Sequence, residues 1–107
     1  MYKFGDILVI NFPFTDGKGS KRRPVLVLKE TADDDILIIK ITSKIYSTEY
    51  DVKISDWQNS GLLSSSVIRT HKMQTIHNSL VFAYIGQLNS LDKRSTKNAL
   101  TNFIMSL

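Results

Sequence analysis

The sequence predicts a mainly β fold: a small SH3-like antiparallel β-barrel with a C-terminal helix. Three observations carry that expectation. Apolar runs of strand length recur along the chain, each bounded by turn-forming residues. One stretch alternates apolar and polar side chains with period two, and the last stretch repeats its apolar residues at the spacing of one helix face. Many short strands followed by one terminal helix suit a small barrel capped by that helix.

The first run is Ile7–Phe12, directly after Gly5 and Asp6. Thr15–Ser20, with two glycines, has the composition of a turn and loop. Val25–Leu28 is the second strand. A residue before proline is steered out of the helical region, so Arg23, ahead of Pro24, is expected to project from the start of that strand. Asp33, Asp34 and Asp35 make a solvated turn, with no further ligand at a spacing that suits a divalent ion. Ile36–Ile41 is the third strand. Its Leu37, Ile39 and Ile41 share a face taken as core, which turns Thr42 outward beside Lys40. Over residues 46–54, Tyr46, Thr48, Tyr50, Val52 and Ile54 alternate with Ser47, Glu49, Asp51 and Lys53, predicting a fourth strand. Residues 59–66 form a loop, and Val67–Thr70 and Leu80–Ile85 are two more strands. Ser90 is the expected N-cap of the helix, with Asp92 favourably placed against its dipole. Ala99, Leu100, Phe103, Ile104 and Leu107 form its apolar face.

Composition narrows the function. A chain of 107 residues fits one domain, residues 1–107. It has no cysteine, which excludes disulfides, thiolate catalysis and cysteine-ligated zinc; two histidines are too few for a zinc site unless carboxylates complete it. No metal and no cofactor is expected. The beginning of the chain lacks the layout of a signal peptide, and no apolar run approaches the ~20 residues that cross a bilayer, so a soluble cytoplasmic protein with no membrane partner is expected. The net charge of +4 favours phosphate-rich partners, and its arrangement says more than its size. Lys18, Lys21, Arg22 and Arg23 crowd into one loop.

Cleaving RNA without a metal, one chemistry open to a basic chain that lacks metal ligands, means deprotonating a 2′-hydroxyl, protonating the leaving 5′-oxygen and offsetting the charge that builds on phosphoryl oxygens. Arg23 is the leading candidate for the last task, since arginine is permanently charged and grips phosphate with two donors; the plainer reading is a strand-end arginine in solvent. Thr42 and Ser43 could donate hydroxyls to the same phosphate, or simply cap a turn. Alternation puts Ser65, Val67, Arg69 and His71 on one face of the fifth strand, where Arg69 could hold phosphate and His71 could exchange protons near neutrality. The blander account is a polar outer face. Tyr46 and Tyr50 are equally readable as base-stacking or core residues. Trp57 anchors a loop, and His77 reads as a turn residue.

In order, Gly5–Asp6, Phe12–Gly17, Gly19–Pro24, Ile41–Lys44, Gly61–Leu63, Ser66–Thr70 and Ile85–Leu88, followed by the helix, resemble the MazF/PemK family of toxin ribonucleases over nearly the whole chain. The resemblance implies an SH3-like barrel that forms a homodimer and cleaves single-stranded RNA, often mRNA, at short motifs without metal. It also implies an antitoxin partner whose flexible acidic tail occupies the RNA groove. The family's arginine before proline falls on Arg23, its threonine on Thr42 with Ser43 beside it, and its later strand arginine on Arg69. Some members have an aspartate two residues beyond that arginine, where this chain has His71. An RNA-contacting aromatic of the fourth strand corresponds most nearly to Tyr50.

The resulting expectation is a type II toxin–antitoxin endoribonuclease. Arg23, Thr42, Arg69 and His71 would be catalytic, and Lys18, Lys21, Ser43, Lys44, Tyr50, Ser65 and Val67 would bind RNA. Two alternatives stay open: a toxin of the same fold that poisons DNA gyrase, and a nucleic-acid-binding barrel without cleavage.

Overall fold

The computed structural model describes residues 1–13 and 17–107. The Thr15–Asp16 half of the expected first turn lies outside the described residues. The elements are β1 (Asp6–Pro13), β2 (Ser20–Glu30), β3 (Asp35–Thr42), β4 (Asp51–Lys53), β5 (Val67–His77), a short 3-10 turn (Asn78–Leu80), β6 (Val81–Gln87) and α1 (Ser90–Met105). All six strands pair antiparallel in one sheet of order β4-β5-β3-β2-β1-β6. The fold is mainly β with one C-terminal helix, as the periodicity predicts.

The strands are apolar on both faces, because each face has its own cluster. Ile7, Leu26, Ile39, Ile41, Ile54, Ile68 and Leu88 form one, against which Trp57 and the helix residues Ala99 and Leu100 pack. Leu8, Ile10, Val25, Val27, Ile36, Ile38 and Ile76 form the other. The expected Leu37 face of β3 does carry Ile39 and Ile41 into the core. The opposite face is equally buried at Ile36 and Ile38, so only its Lys40 end is exposed.

The edges β4 and β6 are not hydrogen-bonded to each other; the chain after β4 bridges them. Gly61, at φ 91°, and Gly86 let the backbones of residues 60–61 and 85–86 touch. A Cβ on Gly61 would fall on the carbonyl oxygen of Ile85, and one on Gly86 on that of Ser60. The helix is tied to the same segment. Asp92, 2% exposed, accepts from Ser55 N (3.0 Å), Ser55 Oγ (2.8 Å) and Asp56 N (3.3 Å).

Four local expectations are corrected. Residues 46–50 are not strand: Thr48 N and Oγ1 donate to Asp51 Oδ2 at 2.9 and 2.7 Å, and Asp51 N donates to Thr48 O. That side-chain-closed turn leaves only Asp51–Lys53 to pair with β5. Arg23 lies inside β2, opposite Ile10, rather than at its start. The helix N-cap is Asn89, whose side chain accepts from Asp92 N at 2.8 Å, not Ser90. The helix's apolar face ends at Phe103, since Ile104 (54%) and Leu107 (89%) are exposed.

Candidate active site

The site originates where two neighbouring strands part. β3 pairs with β2 only as far as Lys40, opposite Val25. Past that point β2 stays with β1 alone, through Pro24–Val9 and Arg23–Ile10, while Ile41 and Thr42 stay with β5 alone, opposite Ile68 and Val67. Pro24 stands where one flank of its strand has no partner, a position that tolerates proline. The divergence opens a gap, and Arg23 and Thr42 face it from opposite banks.

That gap is a cleft of about 240 Å³ whose walls include Arg23, Pro24, Thr42, Ser43, Leu63, Ser64 and Ser66. The Gly61 contact with β6 holds the third wall in position, since residues 61–66 follow it directly. Thr42 Oγ1 accepts from Lys44 N at 3.2 Å, so the hydroxyl caps its turn and still has its own proton to donate. Ser66 Oγ donates to Ser64 O at 2.8 Å.

Arg23 also lines a second cleft, of about 390 Å³, so the two clefts flank the same residue. The second cleft is bounded by Phe12, Lys21, Lys40, Lys72, Met73 and Gln74, among others. It lies at another irregularity. β3 and β5 pair as far as Ile39–Met73, then slip to Ile41–Ile68, leaving Lys40 and Lys72 at the break. Among the described residues the one ion pair is Arg69–Asp51, so Lys21, Arg23, Lys40 and Lys72 converge with no carboxylate in contact.

Arg69 and His71 line neither cleft. Arg69 Nε donates to Asp51 Oδ1 at 3.0 Å, the two side chains being 13% and 1% exposed, and its guanidinium lies 3.5 Å over the Tyr46 ring. Burial raises the Asp51 carboxyl's pKa, but the hydrogen bonds from Thr48 and Arg69 more than reverse this and hold it below the usual carboxylate range. His71 packs against Tyr50 (centroids 5.1 Å apart), which meets Phe103 edge-on at 5.6 Å. Its Nδ1 is buried without a hydrogen-bond partner. Desolvation, then the charges of Arg69 and Lys72, hold the imidazole below its ordinary pKa against the opposing pull of Asp51.

The open polar face expected for residues 65–71 is therefore corrected: the 45–50 segment folds over it. Val67 is buried at 2% exposure, Ser65 is half-buried, and Tyr50 sits in a turn with its ring between His71 and Phe103. Lys44 Nζ stands 5.2 Å over Tyr46. Lys18 is exposed before β2. Of the residues sequence reasoning named, Arg23, Thr42 and Ser43 line the first cleft, and Arg23 and Lys21 the second. Sequence reasoning missed Lys72, Gln74, Ser64 and Ser66, and it noted Lys40 only as Thr42's neighbour on one strand face. Among the described residues no cluster of histidine and carboxylate could hold a metal ion, and no helix is long and apolar enough to cross a membrane.

A family model described as the PemK-like, MazF-like toxin of type II toxin–antitoxin systems matches residues 3–104. No curated protein matches the sequence. The fold is similar to that of MazE–MazF from Deinococcus radiodurans (TM-score 0.80, 16% identity, covering 97% of this chain and 96% of that one). It is also similar to an endoribonuclease from a mycobacterial species in complex with its cognate antitoxin (0.79, 13%, 98% and 96%). A third similar structure is the Mycobacterium tuberculosis toxin MazF-mt6 (0.73, 20%, 92% and 96%). At these identities the likeness is one of fold.

Proposed function

The chain belongs to the PemK-like, MazF-like toxin family of type II toxin–antitoxin systems, and from that premise we propose that it is a metal-independent endoribonuclease cutting single-stranded RNA at short motifs. The observation that carries this reading is the shared cleft of Arg23 and Thr42, a permanent cation and a hydroxyl on two strands that part around a space of about 240 Å³.

In the reaction, the 2′-oxygen attacks the adjacent phosphorus as its proton leaves, and the P–O5′ bond breaks as that oxygen gains a proton. The products are a 2′,3′-cyclic phosphate and a 5′-hydroxyl. Arg23 offsets the charge that builds on the phosphoryl oxygens. Thr42, its oxygen already oriented by Lys44 N, donates to the same phosphate, with Ser43 beside it. His71 packs on Tyr50 outside both clefts, so no proton-transfer role is proposed for it, and water carries the proton from the 2′-oxygen and to the 5′-oxygen. Arg69 is a positioning residue in this reading, because Asp51 and Tyr46 occupy its guanidinium. Lys18, Lys21 and Lys44 draw in the RNA backbone. A homodimer, an antitoxin whose acidic segment competes for the same cations, and a cytoplasmic setting complete the proposal; the antitoxin-bound mycobacterial relative supports the partner.

The test is a long RNA incubated with the purified protein in EDTA, with cleavage ends mapped. Arg23→Ala is expected to lower the rate by about 10²–10³-fold with the fold intact, the effect of removing one transition-state donor. An Arg23→Ala protein that cuts at the wild-type rate would refute the assignment.

A further inference from the structure

We infer that the 390 Å³ cleft is a nucleobase subsite that reads one base flanking the scissile phosphate, with Gln74 as the reading group. The inference rests on the ribonuclease reading and adds a specificity determinant to it. The cleft adjoins the phosphate site directly, because Arg23 lines both. Its volume is within the range of small-ligand sites, roughly 300–1,000 Å³. Phe12 and Met73 give it apolar surface against which a base can lie flat. Gln74 is its uncharged polar side chain, with one acceptor and two donors for a base edge.

The rim explains the ligand's charge. Lys40 and Lys72 stand at the register break between β3 and β5, and like charges side by side on neighbouring strands repel. With Lys21 and Arg23 they form a concentration of positive charge with no carboxylate in contact among the described residues. An RNA chain relieves that repulsion by setting its phosphates on the lysines, and an uncharged ligand does not. Gln74, Lys72 and Lys40 are exposed, so substitutions there leave the core untouched.

The experiment uses two pools with the same randomised sequence: cleavable RNA, whose cut ends are sequenced, and an uncleavable 2′-fluoro-substituted RNA, whose bound fraction is sequenced. Gln74→Ala is expected to reduce discrimination at a single position next to the cut by about ten- to a hundredfold, with the other positions of the motif unchanged. Lys40→Gln and Lys72→Gln are each expected to weaken binding across all sequences, and to reduce the slope of log affinity against log salt by about 0.7. If wild-type protein cuts and Gln74→Ala keeps the full motif, the subsite is overturned while the ribonuclease reading stands. If wild-type protein binds without cutting, the bound pool decides in the same way: an unchanged base preference in Gln74→Ala overturns the subsite. Failure to bind either pool overturns subsite and ribonuclease reading together.

Discussion

Replacing Asp51 by Asn separates an architectural role for Arg69 from a catalytic one. The Asp51 side chain is 1% exposed and accepts from Arg69 Nε at 3.0 Å and from Thr48 N and Oγ1 at 2.9 and 2.7 Å. The amide keeps the shape and an acceptor for Arg69 Nε but removes the charge, leaving a side chain that is 13% exposed with no counter-charge and the Tyr46 ring beneath its guanidinium. Removing one partner of a buried ion pair costs about 3–5 kcal/mol. Partial exposure of Arg69 and its stacking contact reduce that here, so the expected loss is about 2–4 kcal/mol, a large part of a domain's usual 5–15. Urea unfolding followed by Trp57 fluorescence is the assay, since Trp57 packs against the core. Arg69→Met should lose a comparable amount, and the double variant less than the sum, with a coupling of about 1–3 kcal/mol. The pH dependence has a defined sign. A carboxyl whose folded pKa is lowered stabilises above the unfolded value, about 3.9, and that contribution is lost as pH falls through the folded value. Asp51→Asn should flatten this acid limb. Single variants that lose less than about 0.5 kcal/mol and add independently would mark the pair as a weak surface contact, and the architectural role would be refuted.

Further outcomes are expected. Thr42→Val should lose about 1 kcal/mol with the Lys44 N hydrogen bond yet cut RNA at least tenfold more slowly, while Thr42→Ser keeps most activity; equal activity of the Val variant removes Thr42 from the site. His71→Asn should abolish a stability loss that begins as pH falls below about 6.5, because the unfolded chain takes up the proton before the folded imidazole does. Urea midpoints between pH 5 and 8 measure it, and an unchanged profile would make His71 electrostatically neutral to folding. Gly61→Ala should cost about 2–4 kcal/mol, from a left-handed backbone and a Cβ that meets the Ile85 carbonyl. Because residues 61–66 wall the Arg23 cleft, its cleavage rate should fall as well; a fully stable Gly61→Ala protein would contradict the close approach of that segment to β6.

Strands were legible where the signal was local. Asp6–Pro13, Asp35–Thr42 and Val81–Gln87 lie within two residues of the expected runs, since each is a continuous apolar stretch between turn residues. Residues 46–50 misled because Tyr46 and Tyr50 carry a strand's alternation for other reasons. One lies under Arg69 and the other packs against His71 and Phe103, while Thr48 and Asp51 close the turn between them. Val67–Thr70 was found but seven further residues of β5 were not, because His71–Thr75 offers no apolar run: Met73, Gln74 and Thr75 stay in the sheet by pairing with β3, and only Ile76 beyond them is buried. Lys72 and Gln74 were lost with that stretch.

Read alone, the chain determined its fold class, its strand-and-helix order and the motif Gly19–Pro24, all properties of neighbouring residues and their periodicity. Tertiary structure decided which candidates meet. Arg23, Thr42 and Ser64 lie on separate segments, and they share a cleft because β2 and β3 part beyond Val25–Lys40. Arg69 was drawn away from that cleft by a carboxylate 18 positions earlier in the chain. Strand divergence and the pairing of distant charges depend on how the sheet coils, and no local spacing encodes that.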